Sequence, residues 1–123
     1  GPNPAMCHEI GAKMAETLAA SPYRSVVIAS SSWSHCFLST NTGYAVPDTE
    51  TDRLMLEALK KGDYETWRNR TMEETEAAGH HEMLNWHVLA GAMNALDRKP
   101  EIIDYVETFI FQSNKCFAAF PPA

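Results

Sequence analysis

The chain has 123 residues, 45% of them hydrophobic and 21% charged, enough for one modest core and too few for two, so residues 1–123 are expected to form a single domain or a fragment of one. A formal charge of -6 with no dense basic run excludes the footprint of a nucleic-acid binder, and no apolar run approaches the length that spans a bilayer. Cys7, Cys36 and Cys116 are odd in number with no CxxC pair and no signal peptide precedes them, which argues for reduced thiols in a soluble cytoplasmic protein.

Asn3 followed by Pro4 has the form of an N-cap with proline at the first helical position, and Met6, Ile10, Met14 and Leu18 then recur every fourth residue. An amphipathic helix ending near Ser21 and Pro22 follows. Residues 25–30 (SVVIAS) are a short β-branched run without polar alternation, as expected for a strand covered on both faces of an α/β sheet.

Residues 31–50 are rich in Ser, Thr, Asn, Gly and Pro yet carry Trp33, Phe37, Leu38, Tyr44 and Val46, too apolar for a solvated linker. They read as a long, packed, functional loop. Residues 51–61 have helical spacing at Leu54, Leu56 and Leu59 before Gly62, and Thr71 with Glu74 forms a capping box for a second short helix closed by Gly79. A third helix is expected over 81–96, with Leu84, Val88, Gly91, Ala92 and Ala95 on its small, apolar side. Residues 106–111 (VETFIF) and 116–120 (CFAAF) read as the two strands of a closing hairpin.

His35 stands five residues beyond the 25–30 run, and ligands of open α/β sheets bind outside the carboxyl ends of strands. It suits a general acid/base, or equally a loop histidine bonded to its own backbone. Glu82 is spaced to share a helix face with Trp86, Leu89 and Met93. Either it points to solvent in the first helical turn, where the macrodipole favours an anion, or it is buried against a cation, a metal or several donors.

The serines preceding His35 lack a G-x-S-x-G elbow, so Ser34 with His35 makes a poor acyl-transfer pair. His80, His81, Glu82 and His87 lack the HExxH spacing, and residues one apart diverge around a helix, so this cluster is a weak self-contained metal site.

Residues 27–38 (VIASSSWSHCFL), 79–93 (GHHEMLNWHVLAGAM), 3–11 (NPAMCHEIG) and the tail FQSNKCFAAFPP together resemble the C-terminal portion of class III extradiol dioxygenases, the family of the protocatechuate 4,5-dioxygenase and gallate dioxygenase catalytic subunits. The resemblance implies the C-terminal portion of a three-layer α/β/α fold, a sheet flanked by helices. It implies that His35 is the acid/base and that Glu82, followed by Trp86, is a ligand of Fe(II). It further implies a site in which two histidines and this carboxylate hold the iron and leave positions for a catechol-type substrate and O2. Trp33 and Ser34, flanking the base, are then expected to shape the aromatic pocket.

The family's two histidine ligands belong to an N-terminal region without counterpart here, and His8, His80, His81 and His87 match neither. The expectation is therefore an extradiol ring-cleavage dioxygenase present as a fragment or subunit with an incomplete metal site, inactive alone and associating with itself or with a complementary N-terminal region. A non-catalytic binding module that keeps the family fold is the alternative.

Overall fold

The computed structural model describes residues 1–122. Helix α1 spans Pro4–Ala19, started by the Asn3 side chain, which accepts from the Met6 amide, with proline in the first turn. The helix is where its capping signal places it, but it faces the other way. Met6 and Ile10 are exposed, and the buried positions are Pro4, Cys7, His8, Gly11 and Ala15. Met6 and Ile10 lie on the outer face while Met14 and Leu18 are half-buried at its margin, because the inner face needs small side chains.

That need comes from α5, Leu84–Ala95. A methyl group on Gly11 would lie 1.9 Å from the Val88 carbonyl oxygen, and one on Gly91 would lie 2.2 Å from that of His8. The two helices therefore touch backbone to backbone, a contact open only to glycine. Beside it His8 Nε2 and His87 Nδ1 lie 3.0 Å apart, both rings buried. Helix α5 is buried over Trp86, His87 and Leu89 through Met93, as a helix apolar nearly all round should be. It begins three residues later than expected, so Glu82 lies in the preceding turn rather than on the face of Trp86, Leu89 and Met93.

Helix α2 (Thr49–Lys60) is capped by Asp48, whose side chain accepts from the Thr51 amide, and buries Asp52, Met55, Leu56, Ala58 and Leu59. A one-turn helix absent from the sequence reading, α3 (Tyr64–Arg68), is capped by Asp63 and sinks Trp67 completely. Helix α4 (Met72–Ala77) has the reciprocal Thr71 and Glu74 capping box, and Gly79 follows at φ 71°. Trp33, Trp67 and Trp86 meet around Trp33 as edge-on pairs with centroids 5.6 and 5.5 Å apart, each such pair contributing about 0.5 to 1.5 kcal/mol beyond its buried area.

Strands β1 (Glu101–Val106) and β2 (Lys115–Ala119) form an antiparallel hairpin. Its first strand lies earlier than 106–111, since Phe109, Ile110 and Phe111 are exposed at the tip; the β-branched Ile102 and Ile103 supply the strand instead, with a bulge between Ile102 and Asp104. Residues 25–30 form no strand: Val27 and Ala29 pack on the core while Val26 and Ile28 are 82% and 80% exposed. One face is covered, not two, because no described strand pairs with this segment. Helices with a small two-stranded sheet are compatible with an α/β fold. All three cysteines are free and buried, and no helix among the described residues is long and apolar enough to cross a membrane.

Gly91→Ala is expected to force α1 off α5 and to destabilise the fold by about 3 kcal/mol, measured as a fall in the urea midpoint; an unchanged midpoint would contradict the backbone contact. Burial, then the nearby Arg68, pulls the His8 pKa down from 6.5 to about 4. Burial, then His8, His80 and Arg70, pulls that of His87 down to about 3. The folded state thus binds fewer protons than the unfolded one below pH 6.5. Stability from this pair is fully present above that pH and is expected to fall as the pH drops from 6.5 toward 4, by about 3 kcal/mol for each histidine. Denaturant titrations between about pH 8 and pH 4 check this, and a flat profile would refute it.

Candidate active site

The loop from Ser31 to the Thr40–Thr42 turn is not solvated chain. Trp33, Ser34, Cys36 and Ser39 are buried, and two 3-10 turns, Cys36–Leu38 and Thr40–Thr42, compact it. The tip of the hairpin holds it from one side: the Trp33 amide donates to the Asn114 carbonyl at 2.9 Å, the Asn114 amide to that of Ser34 at 3.2 Å, and the Cys36 amide to that of Gln112 at 2.8 Å. From the other side the His35 amide donates to the Gly79 carbonyl at 3.1 Å. Gly79 is required there for two reasons: its φ of 71°, and the 2.5 Å that would separate an added methyl group from the His35 carbonyl oxygen.

His35 is half-buried, bridged to Ser113, with its ring 5.4 Å from that of Phe37. Its Nδ1 is enclosed and has no hydrogen-bond partner. Glu82 is exposed in the turn before α5, and its carboxylate accepts from the Ser32 amide at 3.4 Å. The Ser113 hydroxyl in turn donates to that of Ser32 at 3.3 Å. Glu82 thus meets the same short segment that carries His35, which separation in sequence alone does not require.

Trp33 and Ser34 are both fully buried. Trp33 sits at the centre of the aromatic cluster, beneath the segment rather than at its surface. The Ser34 hydroxyl donates to the Ala78 carbonyl at 2.8 Å and accepts from the Asp48 amide at 2.6 Å. Of the four enclosed side-chain atoms without a partner among the described residues, three, Ser31 Oγ, Trp33 Nε1 and His35 Nδ1, belong to 31–35. Such groups are rare in folded proteins and each is costly.

The histidines around Glu82 part company. His80 is buried against Asp52, Nε2 to Oδ1 2.5 Å, while His87 faces His8 and His81 is exposed. Among the described residues no three His, Cys, Asp or Glu side chains gather in a way that could hold a metal ion. Glu82, exposed and lightly engaged, fits as a single oxygen ligand; the described residues do not by themselves fit a complete iron site.

Asp52 escaped the sequence reading. Its carboxylate is 0% exposed and takes bonds from the Ser34 amide at 3.3 and 3.2 Å, Asn114 Nδ2 at 2.9 Å and His80. The signal was there: positions 52, 55, 56 and 59 share one helical face, and three are apolar.

A buried polar hub thus carries a half-buried imidazole and an open carboxylate on adjoining loops. The family model for the catalytic LigB subunit of aromatic ring-opening dioxygenase matches residues 1–118, nearly the whole chain, and the protein belongs to that family. No curated protein and no solved structure matches it.

Ser34 cannot act as a nucleophile while its hydroxyl is buried and doubly bonded, and a fluorophosphonate probe is expected to leave it unlabelled. Ser34→Ala strands the Asp48 amide and the Ala78 carbonyl and should cost about 2 kcal/mol of unfolding free energy. Probe labelling at Ser34, or unaltered stability of the variant, would contradict this geometry.

Proposed function

We propose that this chain supplies the acid/base and one metal ligand of an extradiol ring-cleavage dioxygenase acting on a catechol-type aromatic such as protocatechuate or gallate. Family membership already makes it an aromatic ring-opening dioxygenase chain and does not favour a non-catalytic module. The finer reading rests on one observation: the unpartnered enclosed atoms gather in the segment that bears His35, and Glu82 leans on that same segment. Unsatisfied groups are tolerated where a substrate-binding site needs them.

In this reading Glu82 is the carboxylate ligand of Fe(II), and the two histidine ligands come from a complementary region or subunit. Iron held by Glu82 and those histidines would bring catechol and O2 together. His35 takes a proton from a ring hydroxyl at Nε2, the ring nitrogen that is not enclosed, and gives one back as the ring opens beside the diol. Trp33 and Ser34 shape the pocket from beneath.

The same complement would complete the three-layer fold. Val26, Ile28, Ile103 and Phe117 are exposed around an apolar groove of about 700 Å³ between residues 25–29 and β2, and the backbone of 25–30 makes no hydrogen bond among the described residues. An edge of this kind invites another strand, from that region or from a second copy. We place the working enzyme in the cytoplasm.

The test is an anaerobic Fe(II) titration of the chain, alone and mixed with the N-terminal region of a related dioxygenase, followed by protocatechuate or gallate and oxygen. The mixture is expected to consume oxygen and form yellow ring-opened product. His35→Ala should lower kcat about 100- to 10,000-fold, and Glu82→Ala should abolish iron retention. A mixture that associates yet neither binds iron nor consumes oxygen would sink the reading.

A further inference from the structure

Asp52 is the only carboxylate among the described residues at 0% exposure, and no lysine or arginine bonds to it. A buried anion is held by donors or not at all, and the three groups that donate to it come from three separate stretches of chain. Ser34 precedes His35. His80 follows Gly79, whose carbonyl accepts from the His35 amide, and stands two residues before Glu82. Asn114 follows Ser113, the bridge partner of His35, and exchanges backbone bonds with Trp33 and Ser34. Backbone bonds join the 33–36 segment to each of the other two stretches, and the Asp52 carboxylate is a single group that bonds to all three.

We infer that Asp52 is a positioning residue for the proposed reaction: by binding Ser34, His80 and Asn114 at once, it sets the placement of His35 relative to Glu82. The inference rests on the proposed function, since it gives that site its scaffold. Asp52 lies beneath the segment and reaches neither substrate nor metal. The Ser34 amide and Asn114 Nδ2 can only donate, so the position calls for acceptor oxygens. Asn114 cannot turn its amide round to suit a neutral neighbour without loss, since its Oδ1 accepts from the Thr108 amide at 3.1 Å and its Nδ2 also donates to the Thr49 hydroxyl at 3.1 Å. An amide in place of the carboxylate keeps the volume but turns an N–H pair toward groups that are themselves donors.

The experiment compares Asp52→Asn with Met55→Ala, a cavity on the same helix that weakens the fold without touching the hub. In the chain alone, hydrogen exchange read by NMR should show the Ser34, His35 and Asn114 amides of Asp52→Asn exchanging at least about 100-fold faster, with α5 amides much less affected. Met55→Ala should speed all of them alike. In the assembled enzyme Asp52→Asn is expected to lower kcat about 100-fold, the scale on which a displaced catalytic group is penalised, with KM changed less than about threefold. Met55→Ala, assayed well below its melting temperature, should keep its kcat.

Exchange in Asp52→Asn that follows the Met55→Ala pattern, or an unchanged kcat, overturns the positioning role. If Asp52→Asn does not fold, Asn114→Ser, which removes one donor to the carboxylate together with the Thr49 and Thr108 bonds of the same amide, carries the same comparison with a smaller effect. His35→Ala separates the two levels. Turnover that survives its loss defeats the proposed function itself, whereas turnover that needs His35 but ignores Asp52 defeats only the positioning role.

Discussion

Everything else in the structure is arranged around the direct backbone contact of α1 with α5 at Gly11 and Gly91. Close approach removes side chains from the interface, so it yields little apolar burial of its own, and what it gives is position. With α1 pressed onto one side, α5 has its other sides free for Trp86, Leu89 and Met93, all buried. Trp86 meets Trp33 edge-on, and its indole N–H reaches the Ser31 carbonyl at 3.4 Å. The segment that carries His35 is therefore laid on the central helix at the end from which the Glu82 turn emerges. Placement of the two candidate residues begins with two missing methyl groups some distance from either.

Apolar packing alone would leave that segment free to slide, because aromatic contacts tolerate small displacements better than hydrogen bonds do. The polar ties add direction. Two kinds of buried polar group coexist here with opposite consequences. His8 and His87 are held neutral by burial and make stability depend on pH, whereas the Asp52 hub is enclosed by donors that suit an anion. Both histidines gain little from being histidines in a purely structural sense, since a bonded pair of neutral rings replaces contacts that apolar groups would make equally well.

What could be read from the sequence was what is local. Asn3 with Pro4, the Thr71 and Glu74 box and the glycines at 62 and 79 each act through a few neighbouring backbone groups, and all appear where they were expected. The failures are of facing and partnership. Met6 and Ile10 of α1 turn outward because periodicity reports an apolar stripe without saying what covers it. Residues 25–30 looked like a doubly covered strand because a strand is defined by its neighbours. Glu82 was placed on a helix face, but the first turn belongs to a tight turn tied by His80 and His81 carbonyls to the amides of Met83 and Leu84. Asp52 was hidden among helix residues whose burial only the tertiary structure decides. The family resemblance, by contrast, was carried by the motif residues themselves and agrees with the match over residues 1–118.

The same distinction bears on what surrounds the site. A groove lined by the unpaired segment 25–29 and β2, and also by α1 and α5, is polar along one backbone edge and apolar in its side chains, a surface open to another stretch of chain. Small ligands satisfy a few fixed polar groups; here the backbone of 25–30 offers a row of them, flanked by Val26 and Ile28 turned outward. Another stretch of chain satisfies both demands together, and a free aromatic ring satisfies neither. The groove is thus suited to a covering stretch of chain, and the unpartnered polar atoms at 31–35 are not among its lining residues.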